Sequence, residues 1–173
     1  MARDAAPVLR GERVTLRRVE RPDVGRLTEI LREPEVARWF GTSPPEKTAG
    51  ELLSDPEATG FVIEAAGEIV GGIQFYEETE PDYRHAGMDL FVATDYQSQG
   101  LGTDALRTLA RYLLEERGHH RLVIDPAASN ERAIKVYQRV GFRPVGILRA
   151  YERGPDGAFH DGLLLDLLAG QLS

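Results

Sequence analysis

The spacing of apolar residues changes period along the chain, and each change marks an element. Arg13-Val-Thr-Leu-Arg-Arg-Val19 alternates as a strand does, whereas Val24, Leu27, Ile30 and Leu31 recur at helical spacing within residues 23–32. Ser43-Pro-Pro-Glu46 has the Ser-x-x-Glu form of a capping box with proline in the first turn, which predicts a short helix to about Ser54. Apolar runs at 61–65 and 68–76 flank Ala66-Gly67 and predict a β-hairpin. The acidic stretch 77–82 reads as a loop and 87–93 as the next strand.

Beyond that strand the pattern turns helical. Across 103–117 the residues Ala105, Leu106, Leu109, Ala110, Leu113 and Leu114 form one stripe, closed by Gly118. Residues 121–125 are a short buried strand halted by Pro126, 130–140 a helix with Gly141 as its stop, and 145–151 with 158–168 a closing hairpin. The strand 87–93, the helix after it and the strand 121–125 make one βαβ unit with parallel strands, while the hairpins are antiparallel. The expectation is an α/β fold on a mixed sheet of about seven strands, with four helices spread over both faces, in one domain covering residues 1–173.

Composition narrows the function. The 173 residues carry 21 basic and 28 acidic side chains, a net charge of −7, the wrong sign for a surface that neutralises nucleic-acid phosphates. With no cysteine, a disulfide framework, a thiolate metal cage and a cysteine nucleophile are excluded. Residues 1–7 lack an apolar leader and the densest apolar run, 162–168, is short and broken by Asp166, so a cytoplasmic protein with no membrane partner is expected. Between Glu46 and Asp89, eleven acidic residues stand against two basic ones. Such a run is either a solvated surface or a surface for a cationic ligand. The histidines lack metal-ligand spacing, so no metal site is expected, and the adjacent His119 and His120 are expected at solvent.

Candidate chemistry gathers in Gln97-Ser-Gln-Gly-Leu-Gly102, between a strand and a helix. Gly100 and Gly102 leave several N–H groups unobstructed near the positive end of that helix, an arrangement that binds phosphate. Two readings compete. Gly100-Leu-Gly-Thr-Asp-Ala105 matches the dinucleotide form G-x-G-x-x-A, with Asp125 near the place of a ribose ligand, but that fold repeats βαβ units and only one is visible here. The other is the Gln/Arg-x-x-Gly-x-Gly/Ala turn of the GCN5-related N-acetyltransferases. Asn130-Glu-Arg-Ala-Ile-Lys-Val-Tyr-Gln-Arg-Val-Gly-Phe142 resembles that family's Asn-x-x-Ala-x-x-x-Tyr-x-x-x-Gly-Phe signature, and the order of elements resembles the family's along nearly the whole chain.

The resemblance implies an acyl-CoA N-acyltransferase fold and direct attack of an amine on the thioester of acetyl-CoA, without an acyl-enzyme. It implies that N–H groups near Phe91 and Val92 polarise the thioester carbonyl, and that Gln97, Ser98, Gln99, Gly100, Leu101, Gly102 and Thr103 hold the pyrophosphate. Asn130 would contact the pantetheine arm and Tyr137 would be the acid for the leaving thiolate; periodicity alone makes Tyr137 a core aromatic. Asp89, inside an apolar strand, and Asp125, at the end of another, are the candidates for taking a proton from the amine.

Within the family the chain is most similar to the aminoglycoside 6'-N-acetyltransferases. Tyr76, Glu77 and Glu78 resemble their acidic, aromatic-flanked segment, and residues 125–142 resemble their Asp-Pro-x-x-x-Asn-x-x-Ala-Ile pattern. The interval from Asp89 to Gly100 reads one residue shorter than in that branch, which leaves the face of Asp89 open. Trp39 either closes over the acceptor or is core. A cationic small-molecule amine, such as an aminoglycoside 6'-amine, is the implied acceptor, and a homodimer is left open. Residues 9–17 also resemble the opening of ribosomal-protein N-terminal acetyltransferases, and a non-catalytic acyl-CoA sensor would share the cofactor turn.

Overall fold

The computed structural model describes residues 7–173; residues 1–6, most of the stretch expected to hold no apolar leader, lie outside them. β1 (Leu9–Arg10) folds back on β2 (Thr15–Arg18) across the turn at 11–14. After α1 (Val24–Arg32), α2 (Pro34–Ala37) and α3 (Pro45–Ser54), β3 (Ala58–Ala65) and β4 (Glu68–Glu78) form the hairpin around Ala66-Gly67, and β5 (His85–Val92) continues it antiparallel. α4 (Leu101–Arg111) runs into a π-helical turn at Tyr112–Glu116, and β6 (Arg121–Ile124) then lies parallel to β5. α5 (Glu131–Val140) leads into the last hairpin, β7 (Arg143–Arg153) and β8 (Phe159–Leu168).

Among the described residues one mixed sheet runs in the order β1-β2-β3-β4-β5-β6-β8-β7. It has eight strands rather than seven because β1, two residues long, is too short for any period to show. The helices number five rather than four for the same reason, α2 being a single turn begun by Pro34. Ser43 does not cap α3: the helix starts one residue later, Pro44 stands at its N-cap, and Glu46 pairs with Arg32 instead of reaching back. Two successive prolines remove N–H groups that a cap would have satisfied.

Strand alternation divides the core into two layers. Phe61 packs with Ile73, Leu106, Leu109 and Phe142 under α4 and α5, while its neighbour Val62 packs with Leu27, Ile30, Leu52 and Phe91 under α1 and α3. His119, expected at solvent, is 2% exposed, because it lies behind the sheet with Nε2 2.6 Å from Glu77 Oε2. No helix among the described residues is long and apolar enough to cross a membrane.

The βαβ unit is parallel as expected, but β5 and β6 pair only at Ala86 with Leu122 and Gly87 with Val123. Past these pairs β5 stays with β4 as far as Val92, and β6 stays with β8. A wedge opens between them. α5 packs beside α4, borders the wedge with Tyr137, and is terminated by Gly141, at a φ of 117° and with the Gln171 carbonyl oxygen where a Cβ would stand. Gly141→Ala is therefore expected to destabilise the protein by about 2 kcal/mol, read as a lower urea midpoint at unchanged slope.

Candidate active site

Two cavities meet in the wedge, and Trp39, Phe40, Leu90, Asn130 and Tyr137 line both. The first, about 760 Å³, is bordered by Phe91, Val92, Gln97, Ser98, Gly100, Gly102 and Thr103, and by Arg132, Lys135 and Arg139 of α5. The second, about 720 Å³, is bordered by Gln74, Tyr76, Asp89, Asp125, Tyr151 and Glu152. Tyr137 stands at the junction.

The first cavity is built around the start of α4. Gly100, at a φ of 81°, immediately precedes the helix, and Ser98 also takes the left-handed conformation at 62°. Alternating backbone of this kind turns successive N–H groups toward one point, at the positive end of a helix. Gln97 ties three elements together: its Nε2 donates to the Val92 carbonyl at 2.9 Å, and its Oε1 accepts from the Arg132 guanidinium. Asn130 caps α5, its Oδ1 accepting from Ala133 N–H at 3.3 Å, so the same residue that starts the helix also borders the cavity. The walls carry Arg38, Arg132, Lys135 and Arg139 against Glu35 and Glu131. An N–H cradle with an excess of cations suits a polyanion.

The second cavity has the opposite sign. Asp55, Glu57, Asp89, Asp125 and Glu152 line it, and no Lys or Arg among the described residues does. Asp89 is on the cavity face of β5, opposite Gln74 in register, which answers the question of its orientation. Tyr76 shares that face, its ring lying over Gly87 where any side chain would collide with it. Asp125 accepts a hydrogen bond of 2.6 Å from the Tyr151 hydroxyl.

Proton affinities follow from this enclosure. Water reaches Asp89 through the cavity, yet protein surrounds it on the remaining sides, and withdrawal from bulk water governs its proton affinity. That withdrawal, helped by the charges of Asp125 and Glu152 and opposed by the Leu90 N–H, pushes its carboxyl up to about 7. Burial raises Glu152 as well, with Asp125 adding to the effect. Tyr137 is 6% exposed, and burial first, then the charges of Asp89 and Asp125, hold its hydroxyl protonated well past the ordinary tyrosine range. Tyr151 is pushed up to about 12, chiefly by its hydrogen bond to Asp125.

Not every expected site residue reaches the cavities. Gln99 turns its side chain back to the Asp95 carbonyl at 3.1 Å and Leu101 is buried in the core, so each offers the turn only its backbone. Glu77 follows Tyr76 and so faces the other side of the sheet, where Arg117 at 2.7 Å and His119 bind it. Glu78 is exposed at the end of β4 and lines neither cavity. Of the eleven acids between Glu46 and Asp89, only Asp55, Glu57 and Asp89 line the second cavity. Tyr151 and Glu152 carry no sequence signal, since β7 is exposed along almost all its length and shows no burial period.

The sequence pattern of the acetyltransferase (GNAT) family matches residues 24–142. The chain belongs to that family. It is 29% identical over 164 residues to the aminoglycoside N(6')-acetyltransferase type 1 of Klebsiella pneumoniae, covering 83% of this chain and 79% of that one. It is 26% identical over 141 residues to the spermidine N(1)-acetyltransferase of Escherichia coli K12, covering 78% and 75%. Among solved structures, the aminoglycoside enzyme AAC(6')-Ib in complex with ribostamycin and coenzyme A is 26% identical, with a TM-score of 0.74 over 91% of this chain and 94% of that one. Mycobacterium smegmatis RimJ in complex with CoA-disulfide is 25% identical, with a TM-score of 0.80 over 94% and 86%. The protein is thus an N-acetyltransferase whose co-substrate is acetyl-CoA, and the cationic N–H cradle of the first cavity fits the phosphates of such a molecule.

The enclosure of Asp89 has a measurable effect on stability. Because its carboxyl binds a proton more tightly folded than unfolded, the folded state carries the extra proton between the ordinary aspartate range and about pH 7, and stability falls as pH rises through that window. Asp89→Asn is expected to melt at a higher temperature than wild type at pH 8, with the gap closing toward pH 4 in calorimetric scans.

Proposed function

We propose that the enzyme transfers the acetyl group directly to a primary amine of a small polycation, of the aminoglycoside or polyamine kind. The observation that carries this reading is the second cavity: five carboxylates and no lining cation, joined at Tyr137 to the cationic cavity. A protein N-terminus would bring one ammonium group to this surface; several ammonium groups use it better. The acceptors named for the aminoglycoside and spermidine relatives support the same class.

Acetyl-CoA, when bound, supplies an activated acetyl thioester. The N–H groups of residues 98–103 hold its pyrophosphate, with Gln97, whose own N–H is spent on the Thr94 carbonyl, bracing the turn through its side chain and Asn130 beside the pantetheine arm. The N–H of Val92, at the end of β5, turns away from β4 toward the wedge and is the donor to the carbonyl oxygen, whereas Phe91, opposite Gly72 in the ladder, turns its N–H to β4. Asp89 takes the proton that the arriving ammonium must lose, a task suited to a carboxyl poised near neutrality. Asp125, pinned by Tyr151, stays as the fixed negative partner of the same or a second ammonium group. Tyr137 keeps its hydroxyl proton at the junction and donates it to the leaving sulfur.

Thiol release with polyamines, aminoglycosides, monoamines and basic peptides tests the acceptor. For a polycation, kcat/KM is expected to fall steeply between low salt and about 0.5 M NaCl, as the Debye length shortens, and for a monoamine to change little. Equal salt response, or preference for neutral acceptors, rejects the polycation. The roles are tested separately. The wild-type kcat/KM is expected to rise with pH around a midpoint near 7, a limb that Asp89→Asn removes. Tyr137→Phe is expected to lower kcat by about 10² to 10⁴ while the dissociation constant of coenzyme A holds.

A further inference from the structure

The back of the cofactor turn is gripped by a part of the chain that no motif marks. Asp104, in the first turn of α4, is a buried carboxylate facing away from the first cavity. It accepts three backbone N–H groups from the turn between β1 and β2: Glu12 at 3.1 Å on Oδ1, and Arg13 at 2.7 Å and Val14 at 3.0 Å on Oδ2. Gly11 completes the wrap, since a Cβ there would stand 2.5 Å from Thr108 Oγ1 and 2.7 Å from both Asp104 oxygens. The grip delivers Arg13 to the cofactor turn, where its guanidinium donates to the carbonyl of Gln99.

That carbonyl belongs to the peptide joining Gln99 to Gly100. The same peptide carries the Gly100 N–H, at the left-handed corner of the turn. A peptide plane carries C=O and N–H on opposite edges, so holding the oxygen outward holds the hydrogen inward. A glycine adopts many backbone conformations, and without a tether this plane rotates freely enough to present an oxygen to a phosphate. We infer that Arg13, seated by Asp104 and Gly11, is a positioning residue for coenzyme binding: it locks the Gln99–Gly100 peptide with its N–H toward the first cavity. Arg13 itself does not line that cavity. The inference rests on the reading that residues 98–103 hold the pyrophosphate.

Calorimetric titration with coenzyme A and hydrogen exchange of the ligand-free protein test it together. Arg13→Met is expected to raise the dissociation constant five- to tenfold and to speed amide exchange across 97–104 before any ligand is added. The melting temperature and the KM of the amine stay as in wild type. Gly11→Ala, which leaves the charge in place but lifts the turn off Asp104, is expected to raise the dissociation constant and the exchange in the same way, at a lower melting temperature. An unchanged dissociation constant in Arg13→Met overturns the inference, as does a raised constant with unchanged exchange, which would make Arg13 a direct phosphate ligand. Gly100→Val separates the two levels: if it leaves coenzyme A binding intact, the reading of 98–103 fails, whatever Arg13 does.

Discussion

A parallel strand pair that holds for two residue pairs and then separates is the constraint from which the site follows. Backbone N–H and C=O groups need partners, and on its β6 side β5 has no strand beside it past Gly87. The chain answers with a side chain rather than with another strand: Gln97 takes the Val92 carbonyl, and the capped start of α5 borders the gap. What is left open is a wedge floored by polar backbone, between two packed layers that cannot close it without breaking the β4–β5 or β6–β8 ladder.

The wedge separates charge along its length. N–H dipoles at the start of α4 and cations along α5 and just after α2 line one end, and carboxylates from β5, β7, the end of β6 and the link from α3 to β3 line the other. Tyr137 sits between them, buried and protonated, with carboxylates on one side and cations on the other. Withdrawal of Asp89 from bulk water, with the charge of Asp125 added, raises the proton affinity of its carboxyl to the neutral range.

Elements with one buried face were legible from the sequence, because burial writes a period. The stripe of α4, the Asn130 to Gly141 helix and the β3–β4 hairpin emerge on that basis, and so do Asp89, an acid within an apolar strand, and Asp125, at the end of another. β1 and α2 are shorter than the period that would reveal them. Glu77, an acidic neighbour of Tyr76, reads from sequence as part of the same surface, but strand alternation turns it to Arg117 and His119. Tyr151 meets Asp125 across 26 positions of sequence, a contact made by the return of the last hairpin, and no local pattern encodes such a meeting.

Trp39 is the chain's one tryptophan, and it borders both cavities, with the Arg38 guanidinium 4.6 Å from its ring centre. Indole emission from this protein therefore originates at a single place, the seam where the two cavities meet. Its colour and intensity respond to the water and charge around that ring. The enzyme carries its own optical reporter, and occupancy of either cavity is readable in solution without a label.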